Sequence, residues 1–223
     1  MTKSDSIRTL LICGVVAGAL SPIVVTLQAL TREGFNLANH PLSMLSLGDL
    51  GWIQITNFIV SGFLFIAFAV GLRRMLKSGR SGSWGPLLVA FYGVILVAAG
   101  IFTVDPMLGF PPGTPNGLPA TLSWHAQLHN VTFLLAFLGP IIAQFVFARR
   151  FTSAKQWGFG LYCIATGVAS PVLIVLSQMT PALMGYILFG TGIMVDLWVV
   201  LLAVRLLAEH RVSSLPMQSE NNL

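Results

Sequence analysis

The chain has 223 residues, of which 55% are hydrophobic and only 9% are charged. Soluble domains carry roughly a quarter of charged residues, so this composition excludes one and points to an integral membrane protein. The net charge of +5 would suggest nucleic acid in a soluble chain; topology accounts for it here, and no nucleic-acid partner is expected.

In chain order, six apolar runs reach the roughly 20 residues that a helix needs to cross a bilayer. They span 9–30, 52–72, 84–104, 123–148, 157–178 and 183–207. The fold class expected is an all-α integral membrane protein, a six-helix bundle forming one membrane domain over 1–223, with 208–223 as a mobile cytoplasmic tail. The first run follows Lys3 and Arg8, as in a signal peptide. Its apolar part exceeds the about 7–15 residues of a signal-peptide core, which predicts an uncleaved helix. Cys13 and Cys163 both lie inside apolar runs, where they read as small buried hydrophobes and not as a disulfide or a metal site. No Walker loop, dinucleotide fingerprint or internal repeat is present.

The connections differ in character. "TREGFNLANHPLSMLSLGDLG" and "DPMLGFPPGTPNGLPA" are long and rich in Pro and Gly, whereas "MTPA" is very short. Eleven of the twelve Lys and Arg residues fall at the opposite ends of the helices from the two long connections, and Arg32 alone falls among the latter. The positive-inside rule then places both termini in the cytoplasm and the two long loops outside, where they can fold over the bundle as a lid.

The stretch "TLSWHAQLHN" puts His125 and His129 one helical turn apart at the start of the fourth run. At 1.5 Å per residue, His129 lies about 30 Å from the basic end marked by Arg149, and Asp105 reaches about the same level on the third helix. Arg32, Glu33, His40 and Asp49 join them in one polar layer. Two readings stand for this layer. In one, Asp105, His125 and His129, with His40 or Asp49, hold a divalent metal such as zinc, whose bound water attacks a lipid headgroup. In the other they form a hydrogen-bonded clasp that ties loops to helix ends. HxxxH lacks the Glu of the HExxH metalloprotease motif, Ser123 is placed to cap the fourth helix, and Trp124 suits an interfacial anchor. Asp196 is separate: nine residues before Arg205, it lies about 13 Å from the basic end, near mid-membrane. Tyr92 has a similar depth and is its candidate partner. A proton pathway through Asp196 is a third reading. A haem is disfavoured, because two axial ligands would have to approach from opposite faces.

"NHPLSMLSLGDLGW", "AFAVGLRR", "AAGIFTVDP" and "TLSWHAQLHN" together resemble the DUF998 family of bacterial six-helix membrane proteins over nearly the whole chain. The resemblance implies residence in the bacterial inner (plasma) membrane. It marks Ser46, Leu47 and Gly48, Phe102 and Asp105, and His125 and His129, with Asp49 beside the first group, but implies no reaction. The function expected is a His/Asp site at the outer face that binds or hydrolyses a lipid or amphiphile: Asp105, His125 and His129 as catalytic or metal-binding residues, and His40, Ser46, Asp49 and Trp124 as binding residues. The alternatives are a non-enzymatic membrane partner or assembly factor, and a proton-coupled transporter using Asp196. Membrane lipids are the expected partners.

Overall fold

A segment that is apolar on every side satisfies its backbone polar groups within itself, away from water, only by coiling into a helix. Six such helices make up the computed structural model, which describes residues 3–76 and 79–214. They are α1 (Lys3–Thr31), α2 (Gly51–Met75), α3 (Gly79–Ile101), α4 (Trp124–Ser153), α5 (Trp157–Met179) and α6 (Met184–Ser214), with 3₁₀ turns at Leu42–Ser46 and Pro181–Leu183. The described residues contain no strand, and all six helices are long and apolar enough to cross a membrane.

Helix ends and apolar windows do not coincide. α1, α3, α4 and α6 run several residues past the apolar runs at their basic ends, because helical hydrogen bonding continues into polar sequence. α6 reaches Ser214, so the first part of the expected 208–223 tail is helix, and the rest of it lies outside the described residues. α3 stops at Ile101, short of the expected 104, since Pro106 follows and biases Asp105 away from helical geometry.

The most extensive helix contacts follow chain order, α1 with α2 and so on to α5 with α6, and α6 returns to α1. The result is a ring of six helices. Small residues set its tightest approach: a Cβ on Gly62 of α2 would lie 2.5 Å from the Gly93 carbonyl oxygen of α3, and one on Gly93 2.6 Å from that of Gly62. Gly62→Val should therefore force the two backbones apart and destabilise the bundle by about 1–3 kcal/mol, read as a lower thermal midpoint in detergent.

The ring is filled unevenly. Toward the end that carries Arg73, Arg149 and Arg205 it is packed solid by Phe65, Phe68, Phe147, Phe151, Trp198, Leu202 and Leu206, all fully buried. Toward the opposite end it is hollow and capped by the two long connections, 32–50 and 102–123. The cap has its own small core of Met44, Val104 and Phe110, with Phe35, Leu47 and Met107 packed around them.

Candidate functional site

Arg32, the one cation in the long connections, organises the cap. Its guanidinium donates to the Leu45 carbonyl (3.1 Å) and the Leu47 carbonyl and lies over the Phe110 ring, 5.5 Å from its centroid. Burial pushes its pKa below the ordinary value, and the nearby Asp49 carboxylate pulls it back up. Asp49 itself is exposed. Gly48, at φ 70°, makes the left-handed turn that brings this strand of chain back under Arg32, and the Ser46 hydroxyl donates to Ser43 O at 2.6 Å to close the 3₁₀ turn. The marked Ser46, Leu47 and Gly48 are thus turn and anchor residues.

His40 stitches one connection to the other. The Asn36 N–H donates to Nδ1 at 3.0 Å, so Nδ1 is the bare nitrogen, and Nε2–H donates to the Leu108 carbonyl at 3.0 Å. The ring is buried and packs against Phe35 and Phe110. Both nitrogens are spent on backbone, which leaves no lone pair for a metal.

At the head of α4, Asp105 receives two hydrogen bonds from one residue: the Ser123 N–H at 2.7 Å and the Ser123 hydroxyl at 2.6 Å. The same hydroxyl accepts from Ala126 N at 3.2 Å and caps the helix. One turn on, His129 Nδ1 donates to Phe102 O at 2.6 Å, a carbonyl that the end of α3 leaves without a helical partner. These two links join the end of α3 to the start of α4.

His125 takes no part. Four residues advance a helix by about 400°, so His125 stands about 40° off the stripe of His129. The buried stripe of α4 runs through Ala126, His129 and Thr132, and position 125 falls outside it. His125 is exposed, with its ring edge-on to Trp124 at 4.2 Å; Trp124 is exposed as well. Among the described residues no group of three or more His, Cys, Asp and Glu side chains is placed to hold a metal ion. Asp105, His125 and His129 therefore do not fit a zinc shell: the first is engaged by Ser123, the second turns outward, and the third is aimed at Phe102.

What His129 does face is the hollow half of the ring. A partly enclosed chamber of about 150 Å³ lies there, and His129 lines it together with Ser21, Gln54, Tyr92, Thr132 and Asp196. The remaining wall is mostly apolar, with Phe58, Phe133, Phe137, Leu188 and Phe189 prominent and Pro41, Leu42 and Ser43 of the cap at one side. Asp196 is 5% exposed. Ser21 and Tyr92 line the chamber beside it, and among the described residues its Oδ1 has no hydrogen-bond partner. A carboxylate at the centre of a membrane helix costs roughly 2.5–3.5 kcal/mol on insertion scales.

Asp196 and Tyr92 were legible from depth alone. The polar ladder beside them was missed. Gln28 Nε2 donates to Gln54 Oε1 at 2.8 Å, Asn57 Nδ2 reaches Gln54 Oε1 and Ser21 O at 3.4 Å, and the Ser61 hydroxyl meets Asn57 Oδ1 at 3.4 Å. The signal was present: Gln54, Asn57 and Ser61 recur at intervals of three and four in an otherwise apolar helix, which sets them on one stripe.

No curated protein and no solved structure matches the chain. The family model described as protein of unknown function (DUF998) matches residues 15–205. Six apolar helices, each long enough to cross a membrane, agree with that match, and the chain is a member of DUF998.

Proposed function

We propose that this protein is a non-enzymatic receptor for a small amphiphile, which enters the capped half of the helix ring and is held in the chamber beside Asp196. The single observation that carries this reading is the chamber itself, apolar over most of its wall with one buried carboxylate oxygen left unpartnered. Ligand sites have this character, mostly apolar with a few placed polar groups. Hydrolysis is the weaker reading, because Asp105, His125 and His129 do not converge on a common point. Transport through Asp196 is weaker too, since the half beyond it is packed by Trp198, Phe65 and Phe147.

The basic end belongs in the cytoplasm by the positive-inside rule, in the inner (plasma) membrane of a bacterium, so the cap faces outward and the chamber lies level with the outer leaflet. An impermeant thiol reagent tests this. Cysteine at the exposed Asn116 should be labelled in intact cells, and cysteine at the exposed Ser153 should be protected until the cells are opened. Labelling of Ser153→Cys from outside would reverse the assignment.

Gly192 provides the test of binding. It lines the chamber, and a Cβ there would meet nothing within 4 Å. Gly192→Leu should fill the space without disturbing the ring. Native mass spectrometry of the purified wild type should find a co-purified amphiphile, and the Gly192→Leu protein, still unfolding in one cooperative thermal transition, should have lost it. Equal occupancy in the two proteins would defeat the proposal.

A further inference from the structure

We infer that the ligand taken by the chamber is an organic cation, an amine whose protonated nitrogen meets Asp196 while its apolar part lies against the aromatic wall. This deepens the receptor reading and rests on it. Three observations carry the assignment.

The first is charge. Among the described residues Asp196 is the only acidic side chain lining the chamber, and neither Lys nor Arg lines it. His129, the one basic group there, has its Nδ1 proton committed to Phe102. Among the described residues Asp196 Oδ1 has no hydrogen-bond partner, in a residue that is nineteen-twentieths buried. The missing complement is thus a donor with positive charge, which an ammonium provides in three directions. Charge-assisted bonds of this kind are about twice as strong as neutral ones.

The second is the wall. Phe58, Tyr92, Phe133, Phe137 and Phe189 all line the chamber. Aromatic faces attract a cation through the ring quadrupole, most strongly where water is excluded, and aromatic enclosures are the usual means of recognising ammonium groups. A neutral apolar ligand would be served as well by aliphatic side chains; aromatic side chains together with a carboxylate favour the cation.

The third is size. At about 150 Å³ the chamber matches a cavity known to hold a benzene ring. Benzylamine, benzyl alcohol and toluene are therefore matched probes: they share the ring and differ only in the group presented to Asp196.

The experiment is a titration of the detergent-solubilised full chain with each probe at neutral pH, read as the shift in thermal midpoint. Benzylamine should bind the wild type at least tenfold more tightly than benzyl alcohol, and toluene should bind more weakly still. Asp196→Asn should level benzylamine with benzyl alcohol, and Gly192→Leu should abolish both. The amine-to-alcohol comparison is made on the wild type, so it stands whether or not Asp196→Asn folds. Equal affinity for benzylamine and benzyl alcohol would overturn the cation assignment and leave the receptor reading in place. Failure of all three probes to shift the wild type, with Gly192→Leu indistinguishable from it, would overturn both.

Discussion

Asp196→Leu should give a protein that unfolds at a higher temperature than the wild type and has lost its ligand. Asp196 is buried with one side-chain oxygen that has no hydrogen-bond partner among the described residues, and a leucine of comparable reach removes that group and adds apolar contact with Val25 and Leu188 across the chamber wall. The gain should be about 1–3 kcal/mol, part of the roughly 2.5–3.5 kcal/mol that an acid costs at this depth. Opposite movement of stability and binding is the mark of a residue kept for function at the expense of the fold. Thermal unfolding in detergent and native mass spectrometry of the same sample read both quantities. An Asp196→Leu protein that unfolds earlier than the wild type would make Asp196 a structural residue of the α1–α6 contact, where Gly18 already meets the Asp196 backbone.

The legibility of this chain in its sequence divides by physical scale. Six helices were legible because crossing a bilayer needs a long uninterrupted apolar run, and nothing else in the sequence imitates one. Helix ends were less so: apolarity reports where lipid or core lies, whereas α4 continues through Arg149 and Arg150 to Ser153 because its hydrogen bonding does. The lid expected from the two long connections corresponds to the cap around Phe110 and Arg32. That Asp105 and His129 share a junction was legible from depth. Their roles were not, since depth cannot tell which way a ring turns: His129 and His125 differ by about 40° around α4, and that angle separates a buried residue from an exposed one. The chamber was illegible for a different reason. It is a property of six helices at once, and of the packing of one half by Trp198 and its neighbours, which no local pattern encodes. Only the polar ladder beside it left a trace, in the spacing of Gln54, which lines the chamber, with Asn57 and Ser61.

These residues divide the work. The cap and the α3–α4 junction are built from backbone carbonyls and N–H groups that a non-helical connection would otherwise leave unsatisfied, and Arg32, His40, Asp105, Ser123 and His129 each satisfy one or more of them. Marked polar residues at such a junction need no reaction to explain them. They hold rigid the rim of a chamber whose chemistry lies one layer deeper, at Asp196.

Asp105→Ala should accordingly be the most destabilising polar substitution at the junction. It removes both hydrogen bonds to Ser123, each from a charged acceptor and each worth about 1.5–3 kcal/mol, for a loss of about 3–5 kcal/mol. Asp105→Asn keeps one acceptor and should lose about half of that. His129→Gln, which retains a donor for the Phe102 carbonyl, should lose only about 1 kcal/mol. A metal ligand or a general base would behave in the reverse way, with activity lost and the thermal midpoint unmoved. The sharper measurement is a double-mutant cycle between Asp105 and Ser123. Ser123→Ala alone removes the α4 cap, about 1 kcal/mol, together with one of the two bonds to Asp105, so the double variant cannot lose the shared bond twice. The cycle should return a coupling of about 1–3 kcal/mol. Strict additivity would show that the two residues act independently, and the junction would then lose its account as a single capping relay from Asp105 through Ser123 to Ala126.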